Sequence, residues 1–306
     1  MAWGDDASLG CNMRHGPVPW VNIVNDKIPP TLPIPKEKFP AVKWKPDATH
    51  AFEYHCEFCP KNYPNDYQNN FIKELQTEYD DVEMNISIWD GTEFKKLKRK
   101  HRGKPRVLNN ILFVWPDKNG NVPLANLLNS GIDNIGESLC IVECTDQTCP
   151  DPNCPYKITK NLVSPKVSLA FFPDKEWSVI AEEFIKSDKL LFLYQGDTFN
   201  EDNKSYDDNY TFQYYIGNSN PVSIDASRTC NASRFINHAC YDEIQRFPQP
   251  NCTAFNITSA TYDFRIAIFS ARDIYPGEEL TLNYKNVMKD KICSCNRCKQ
   301  QRNKNV

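Results

Sequence analysis

Short runs of apolar, β-branched and aromatic residues, each bounded by turn formers, recur through the second half of the chain. They predict strands at Asn110–Trp115, Leu139–Val142, Val167–Phe172, Ser178–Ala181 and Leu190–Tyr194. Further strands are expected at Tyr210–Ile216, Val222–Asp225, Arg265–Ser270 and Glu279–Tyr284. Helical spacing is confined to Phe71, Ile72, Leu75 and Tyr79, with a short helix expected around Ser233–His238. The acidic, polar stretch Asp197–Asn209 reads as a loop. The first fifty residues carry Pro17, Pro19, Pro29, Pro30, Pro33, Pro35, Pro40 and Pro46, so they cannot be helical for long and read as an extended arm. No internal repeat is visible.

The chain has 306 residues, of which 40% are hydrophobic, enough to build a core. Net charge is −3, which excludes a protein whose whole surface is a nucleic-acid footprint. A basic contact must be local, and Lys95–Arg106, with eight Lys or Arg, is the place for it. That run is either a solvated loop or a nuclear-import or nucleic-acid patch, the latter favoured by its near-absence of acids. No window holds the roughly 18 apolar residues of a membrane span, so no membrane partner is expected.

Thirteen cysteines change the picture. The N-terminus carries Asp5 and Asp6 and no apolar core of a signal peptide, which favours a reducing compartment over a disulfide framework. Cys140, Cys144, Cys149 and Cys154 are spaced four or five residues apart, with prolines and aspartates between the later ones. With Cys56 and Cys59 they form six candidate thiolate ligands, enough for one zinc with two spare or for two zincs with shared ligands. The competing reading is that some are small buried hydrophobes. Cys293, Cys295 and Cys298 supply three further ligands, and Cys240 is the natural fourth.

Candidate chemistry concentrates near the C-terminus. In RFINHAC, Arg234–Cys240, Asn237 and His238 stand side by side in an otherwise apolar stretch. In GEELTLNY, Gly277–Tyr284, a tyrosine ends an alternating run. A metal joining Cys240 to the terminal cysteines would bring the tail over whatever Asn237 and His238 bind.

At these residues the chain resembles the SET-domain lysine methyltransferases with a cysteine-rich pre-SET and a post-SET, of the histone H3 lysine-9 type. RFINHAC is similar to the family's RFINHSC, and GEELTLNY to its GEELTxDY. VNIVNDKIPP (Val21–Pro30) and IVEC (Ile141–Cys144) are similar to pre-SET elements. EWS (Glu176–Ser178), LYQGD (Leu193–Asp197 at its end), YTF (Tyr210–Phe212) and IDAS (Ile224–Ser227) follow in the family's order. The match runs from about Val21 to Cys298.

The resemblance implies a mostly β fold: a SET domain of small sheets with a knot-like C-terminal crossing, flanked by zinc-binding pre-SET and post-SET segments. It implies an arm and degenerate pre-SET at 1–166, a SET domain at 167–286 and a post-SET tail at 287–306. It implies transfer of methyl from S-adenosylmethionine to a lysine of a histone tail, in the nucleus and on the chromosome. Tyr284 and Tyr210 are then the catalytic candidates. Trp177, Tyr194, Arg234, Asn237 and His238 are the cofactor contacts, and Zn2+ is held by the cysteines named above. The alternative is an inactive member that binds a tail or chromatin partner as a scaffold. The sequence departs from the family where Gly-Trp-Gly is Glu176-Trp177-Ser178, and where Leu282 takes a position that is usually Phe or Tyr. That position tunes how many methyls are added, and leucine is expected to leave room for more than one.

Overall fold

The structure is a computed structural model. It describes most of residues 110–124, 139–172, 176–200, 210–214, 222–240 and 249–284, together with the backbone of short strands nearer the N-terminus. Those early strands are β1 (Ala2–Gly4), β2 (Trp20–Asn22), β3 (Val42–Lys43), β4 (Asn85–Trp89) and β5 (Phe94–Lys96). Then come β6 (Asn110–Val114), β7 (Leu139–Glu143), β8 (Val167–Phe172), β9 (Glu176–Ala181), β10 (Leu190–Leu193) and β11 (Asp197–Asn200). β12 (Thr211–Tyr214) and β13 (Val222–Asp225) precede a 3-10 turn at Ala232–Phe235. The last strands are β14 (Asn237–His238), β15 (Cys252–Ser259), β16 (Asp263–Ser270) and β17 (Thr281–Leu282).

Among the described residues the strands form three sheets: β1-β2-β8-β9, β11-β13-β12, and a larger one running β10-β16-β15-β7-β6-β4-β5 with β3, β14 and β17 attached. Its strands β6, β7, β15 and β16 carry buried side chains on both faces, and strand alternation sorts these between two cores. Leu112, Val114, Leu139, Ile141, Phe255, Ile257, Ala267 and Phe269 fill one. Phe113, Trp115, Cys140, Val142, Ile266 and Ile268 face the other, against Leu169, Phe171, Trp177 and Val179 of β8 and β9. The parallel β7–β15 ladder joins a strand before residue 166 to one deep in the C-terminal half.

A buried ion pair ties β7 to β16, the neighbour of β15. Glu143, at the end of β7, accepts from Arg265 of β16 and from the Thr159 backbone N–H at 2.8 Å and hydroxyl at 2.6 Å. Burial raises the Glu143 carboxyl and the Arg265 guanidinium pulls it back down, so partnering is what keeps the group tolerable in the interior.

Several expectations differ from the structure. Asp197–Asn200, read as loop, is β11, because it zips antiparallel onto β13 from Asp197↔Asp225 to Asn200↔Val222. The helix around Ser233–His238 is one 3-10 turn followed by extended backbone. Asn231 caps its start, accepting from Ser233 N at 3.1 Å while its amide donates to the Leu193 carbonyl at 2.8 Å, and the turn ends where Ile236 becomes extended. Only Thr281–Leu282 of Glu279–Tyr284 is regular strand. β15 was missed, since Asn256 and three threonines or serines disguise its alternation. The Phe71–Tyr79 helix, Cys56, Cys59, Cys293, Cys295 and Cys298 lie outside the described residues. Of Lys95–Arg106, only the backbone of β5 is described.

Candidate active site

The two motifs meet. β14 pairs in parallel with β17, Asn237↔Thr281 and His238↔Leu282, and β17 also pairs with Cys252 of β15. Segments more than forty residues apart in sequence therefore run side by side. Asn251, buried at 2% exposure, holds the second one in place. Its amide donates to the Glu279 carbonyl at 2.9 Å and its oxygen accepts the Thr281 N–H at 2.8 Å. Nothing in the sequence marks Asn251 as this clamp, because its partners are main-chain atoms.

His238 and Tyr284 are locked together. The Tyr284 backbone N–H donates to His238 Nδ1 at 2.9 Å, and the rings lie 5.4 Å apart, tilted by 54°. With Nδ1 accepting, the ring proton sits on Nε2, which faces Cys240 Sγ at 3.2 Å. Burial lowers the imidazole below its ordinary value despite the nearby Leu282 carbonyl, which keeps it neutral.

Three tyrosines converge beside this pair. Tyr284 hydroxyl donates to the Ile236 carbonyl, and Tyr194 hydroxyl donates to the Tyr210 carbonyl at 2.7 Å. Burial, with Tyr210 adding to it, pushes Tyr284 up to about 12. Burial, with Tyr284 adding to it, carries Tyr194 well above the usual phenol range. Both phenols thus stay protonated, give their protons to main-chain carbonyls, and keep their oxygens as acceptors. Arg234 spreads its guanidinium 3.9 Å over the Tyr210 ring and donates to the Ser227 carbonyl at 2.9 Å. Gly196, next to this cluster, can only be glycine: a Cβ there would stand 2.2 Å from the Asp225 carbonyl oxygen.

Asn237 reaches across to β9. Its amide nitrogen donates to Ser178 Oγ at 2.8 Å and to the Trp177 carbonyl at 3.0 Å, with Glu279 Oε1 at 3.3 Å. The Trp177 indole turns into the core, edge-on to Phe171 at 5.4 Å, so what β9 offers the site from this residue is its backbone. Glu176 holds the left-handed region at φ 62, a conformation that glycine adopts freely and a side chain does not.

The cysteines divide. Cys144, Cys149 and Cys154 are buried and place their sulfurs within 4.8 Å of one another. Tetrahedral zinc with bonds of about 2.3 Å needs sulfurs ~3.8 Å apart, so the trio is a donor set a thiophilic metal fits. Burial, with the neighbouring Cys154 and Cys149 adding to it, pushes the Cys144 thiol up. Cys140 does not join them: it faces the opposite core from β7, where burial alone raises its thiol.

The comparisons with known proteins agree with this geometry. The family model described as SET domain matches residues 176–285. Residues 176–285 are a SET domain. Curated relatives include the histone-lysine N-methyltransferase SUV39H2 of Xenopus tropicalis, 29% identical over 157 residues, 47% of this chain and 36% of that protein. SUV39H2 of Gallus gallus is 30% identical over 163 residues, covering 49% and 38%. The chain thus spans little more than a third of the length of these relatives. Arabidopsis thaliana SUVH6, crystallised with SAM, superposes with a TM-score of 0.57 at 17% identity, over 95% of this chain and 53% of that one. The strand-built architecture around the SET domain is therefore shared as a fold.

The SET domain brings together Trp177, Tyr194, Tyr210, Arg234, Asn237, His238 and Tyr284, all named from sequence. Ser178, Asn251 and Glu279 were missed. The signal for Ser178 was present, as the residue standing in a glycine's place.

Proposed function

We propose that the protein is a histone-lysine N-methyltransferase that uses S-adenosylmethionine, with histone H3 as the favoured tail. The carrying observation is the pairing of Asn237–His238 with Thr281–Leu282, which sets Asn237, His238 and Tyr284 in one place. The relatives' names support the reaction class.

The donor set suits the cofactor. Asn237 Oδ1, with the amide nitrogen occupied, is an acceptor for an N–H group. Tyr284 and Tyr194 offer phenol oxygens with no strong base among them. When bound, the sulfonium donor supplies an electrophilic methyl for in-line displacement by a neutral amine. Positive charge then moves from sulfur to nitrogen, and the acceptor oxygens favour it throughout without acting as nucleophiles. His238 cannot serve as base, because Nδ1 is taken by the Tyr284 N–H and Nε2 bears the proton. The lysine instead loses its proton on entering a desolvated channel that disfavours ammonium. Tyr210, held under Arg234 and passing its carbonyl to Tyr194, lines that channel.

Zinc completes the reading. Cys144, Cys149 and Cys154 hold one ion, with Cys56 or Cys59 to close it; Cys240 joins Cys293, Cys295 and Cys298 around another and draws the 287–306 tail over the site. The 1–166 segment then acts as arm and pre-SET, and Lys95–Arg106 contacts nucleic acid on the chromosome in the nucleus. The scaffold alternative draws on the lost glycines. The left-handed φ retained at Glu176 argues against it, since the turn persists without its glycine.

The test is mass spectrometry of recombinant histone octamers incubated with the protein and S-adenosylmethionine. The reading expects the mass increments of added methyl groups on one histone, localised to a tail lysine. Unmodified histones beside intact cofactor binding would favour the scaffold.

A further inference from the structure

Asn237 carries more acceptors on its amide nitrogen than that nitrogen has hydrogens. Ser178 Oγ lies at 2.8 Å, the Trp177 carbonyl at 3.0 Å and Glu279 Oε1 at 3.3 Å, whereas an amide NH2 donates two hydrogen bonds. The two shorter contacts come from consecutive residues of β9, so the nitrogen is turned firmly toward that strand. The oxygen of the same amide is left on the opposite side. Ser178 is fully buried, at 0% exposure, and its hydroxyl has no solvent to exchange Asn237 for. Asn237 itself is only partly buried, so without the hydroxyl its amide nitrogen keeps the Trp177 carbonyl and Glu279 but loses its shortest bond, and the group is held less firmly.

We propose that Ser178 is a positioning residue for the methyl donor: the Trp177 carbonyl selects the nitrogen end of the Asn237 amide, and the Ser178 hydroxyl, its shortest partner, holds it there with the oxygen outward, so that the site accepts an N–H group of the donor. The inference rests on the donor-binding role of Asn237 proposed above and adds to it a residue that holds the amide in place. A side chain in this place is therefore a working part of the site rather than a lesion. Fixing one amide in advance removes its ordering cost from the binding step.

The effect acts on affinity and not on the chemical step, because Ser178 touches Asn237 and no reacting atom. Ser178→Ala keeps the Cβ and removes the hydroxyl. It is expected to weaken S-adenosylhomocysteine binding by roughly fivefold, the order of one neutral hydrogen bond. KM for S-adenosylmethionine rises in step while kcat is held.

Calorimetry on four proteins decides it: wild type, Ser178→Ala, Asn237→Ala and the double variant, each titrated with S-adenosylhomocysteine. The proposal expects the Ser178→Ala loss in the wild-type background and no further loss in the Asn237→Ala background, because Ser178 acts through Asn237. Equal losses in both backgrounds, or none in either, would overturn it while leaving the donor site standing. Unchanged wild-type heats with no saturable binding would remove the donor-site reading and this inference together. Thermal melting of each variant separates a folding defect from a binding one; Ser178→Gly, which removes the side chain entirely, must reproduce the Ser178→Ala loss if the hydroxyl is the active group.

Discussion

The Tyr284 backbone N–H donates to His238 Nδ1 at 2.9 Å, and this one bond couples the two motifs of the site. It fixes the tautomer of His238 and the placement of the Tyr284 ring at once. Removing the imidazole should therefore disturb both cofactor contact and tyrosine alignment. His238→Ala is expected to weaken S-adenosylhomocysteine binding by about tenfold or more and to lower kcat as well. Calorimetry paired with initial rates checks it; unchanged affinity would count against the coupling.

Tyr284→Phe keeps the ring and its backbone bond to His238 but removes the phenol oxygen. Turnover should fall by about two to three orders of magnitude, with cofactor affinity nearly retained. Because Tyr284 is pushed up to about 12, its ionisation contributes nothing to the rate near neutrality. The rise of kcat/KM with pH should then follow deprotonation of the substrate lysine, and the residual Tyr284→Phe activity should show the same rising limb. Initial rates from pH 6 to 10 (a range chosen about the ordinary lysine value, ~10.4) measure both.

Arg265 and Glu143 make a stability prediction. Arg265→Met leaves a buried carboxylate without its cation and should cost about 3–5 kcal/mol. Glu143→Leu in the same chain removes the stranded charge and should restore much of that loss. Denaturant titration of the single and double variants is the measurement.

Glu176 stands at φ 62, where a non-glycine residue carries strain of about 1–2 kcal/mol. Glu176→Gly should be neutral or stabilising by up to ~1 kcal/mol after the greater freedom of the unfolded chain is counted. Glu176→Val, β-branched, should destabilise clearly. A melting comparison of the two distinguishes relief of backbone strain from loss of a side-chain contact.

Metal should accompany the cysteine trio. Elemental analysis of reduced, purified protein is expected to find zinc. Cys149→Ser should lower the zinc content and the melting temperature, whereas Cys140→Ala should leave zinc unchanged and act only as a small core truncation, costing about 1–2 kcal/mol.

Much of this site was legible because its chemistry is carried by contiguous motifs. Asn237, His238 and Tyr284 stand in short segments whose residue order survives in sequence, and the strands β8 and β13 have the bounds their alternation predicts. What was not legible depends on partners distant in the chain. β11 forms because β13 offers a register, not because Asp197–Asn200 favours extension. Cys140 and Cys144 look alike in sequence, yet Cys140 faces the core from within β7 while Cys144 leaves the strand for the metal-fitting loop. Asn251 clamps Thr281 through main-chain atoms, so no residue type at the far end announces it.

The most direct test of the central claim is transfer of labelled methyl from S-adenosylmethionine to an array of histone-tail peptides by the wild-type protein. The account predicts label on lysine-containing tail peptides, H3 foremost, and its loss when that lysine is replaced by arginine. An array left blank by protein that binds the cofactor and retains its zinc would contradict it.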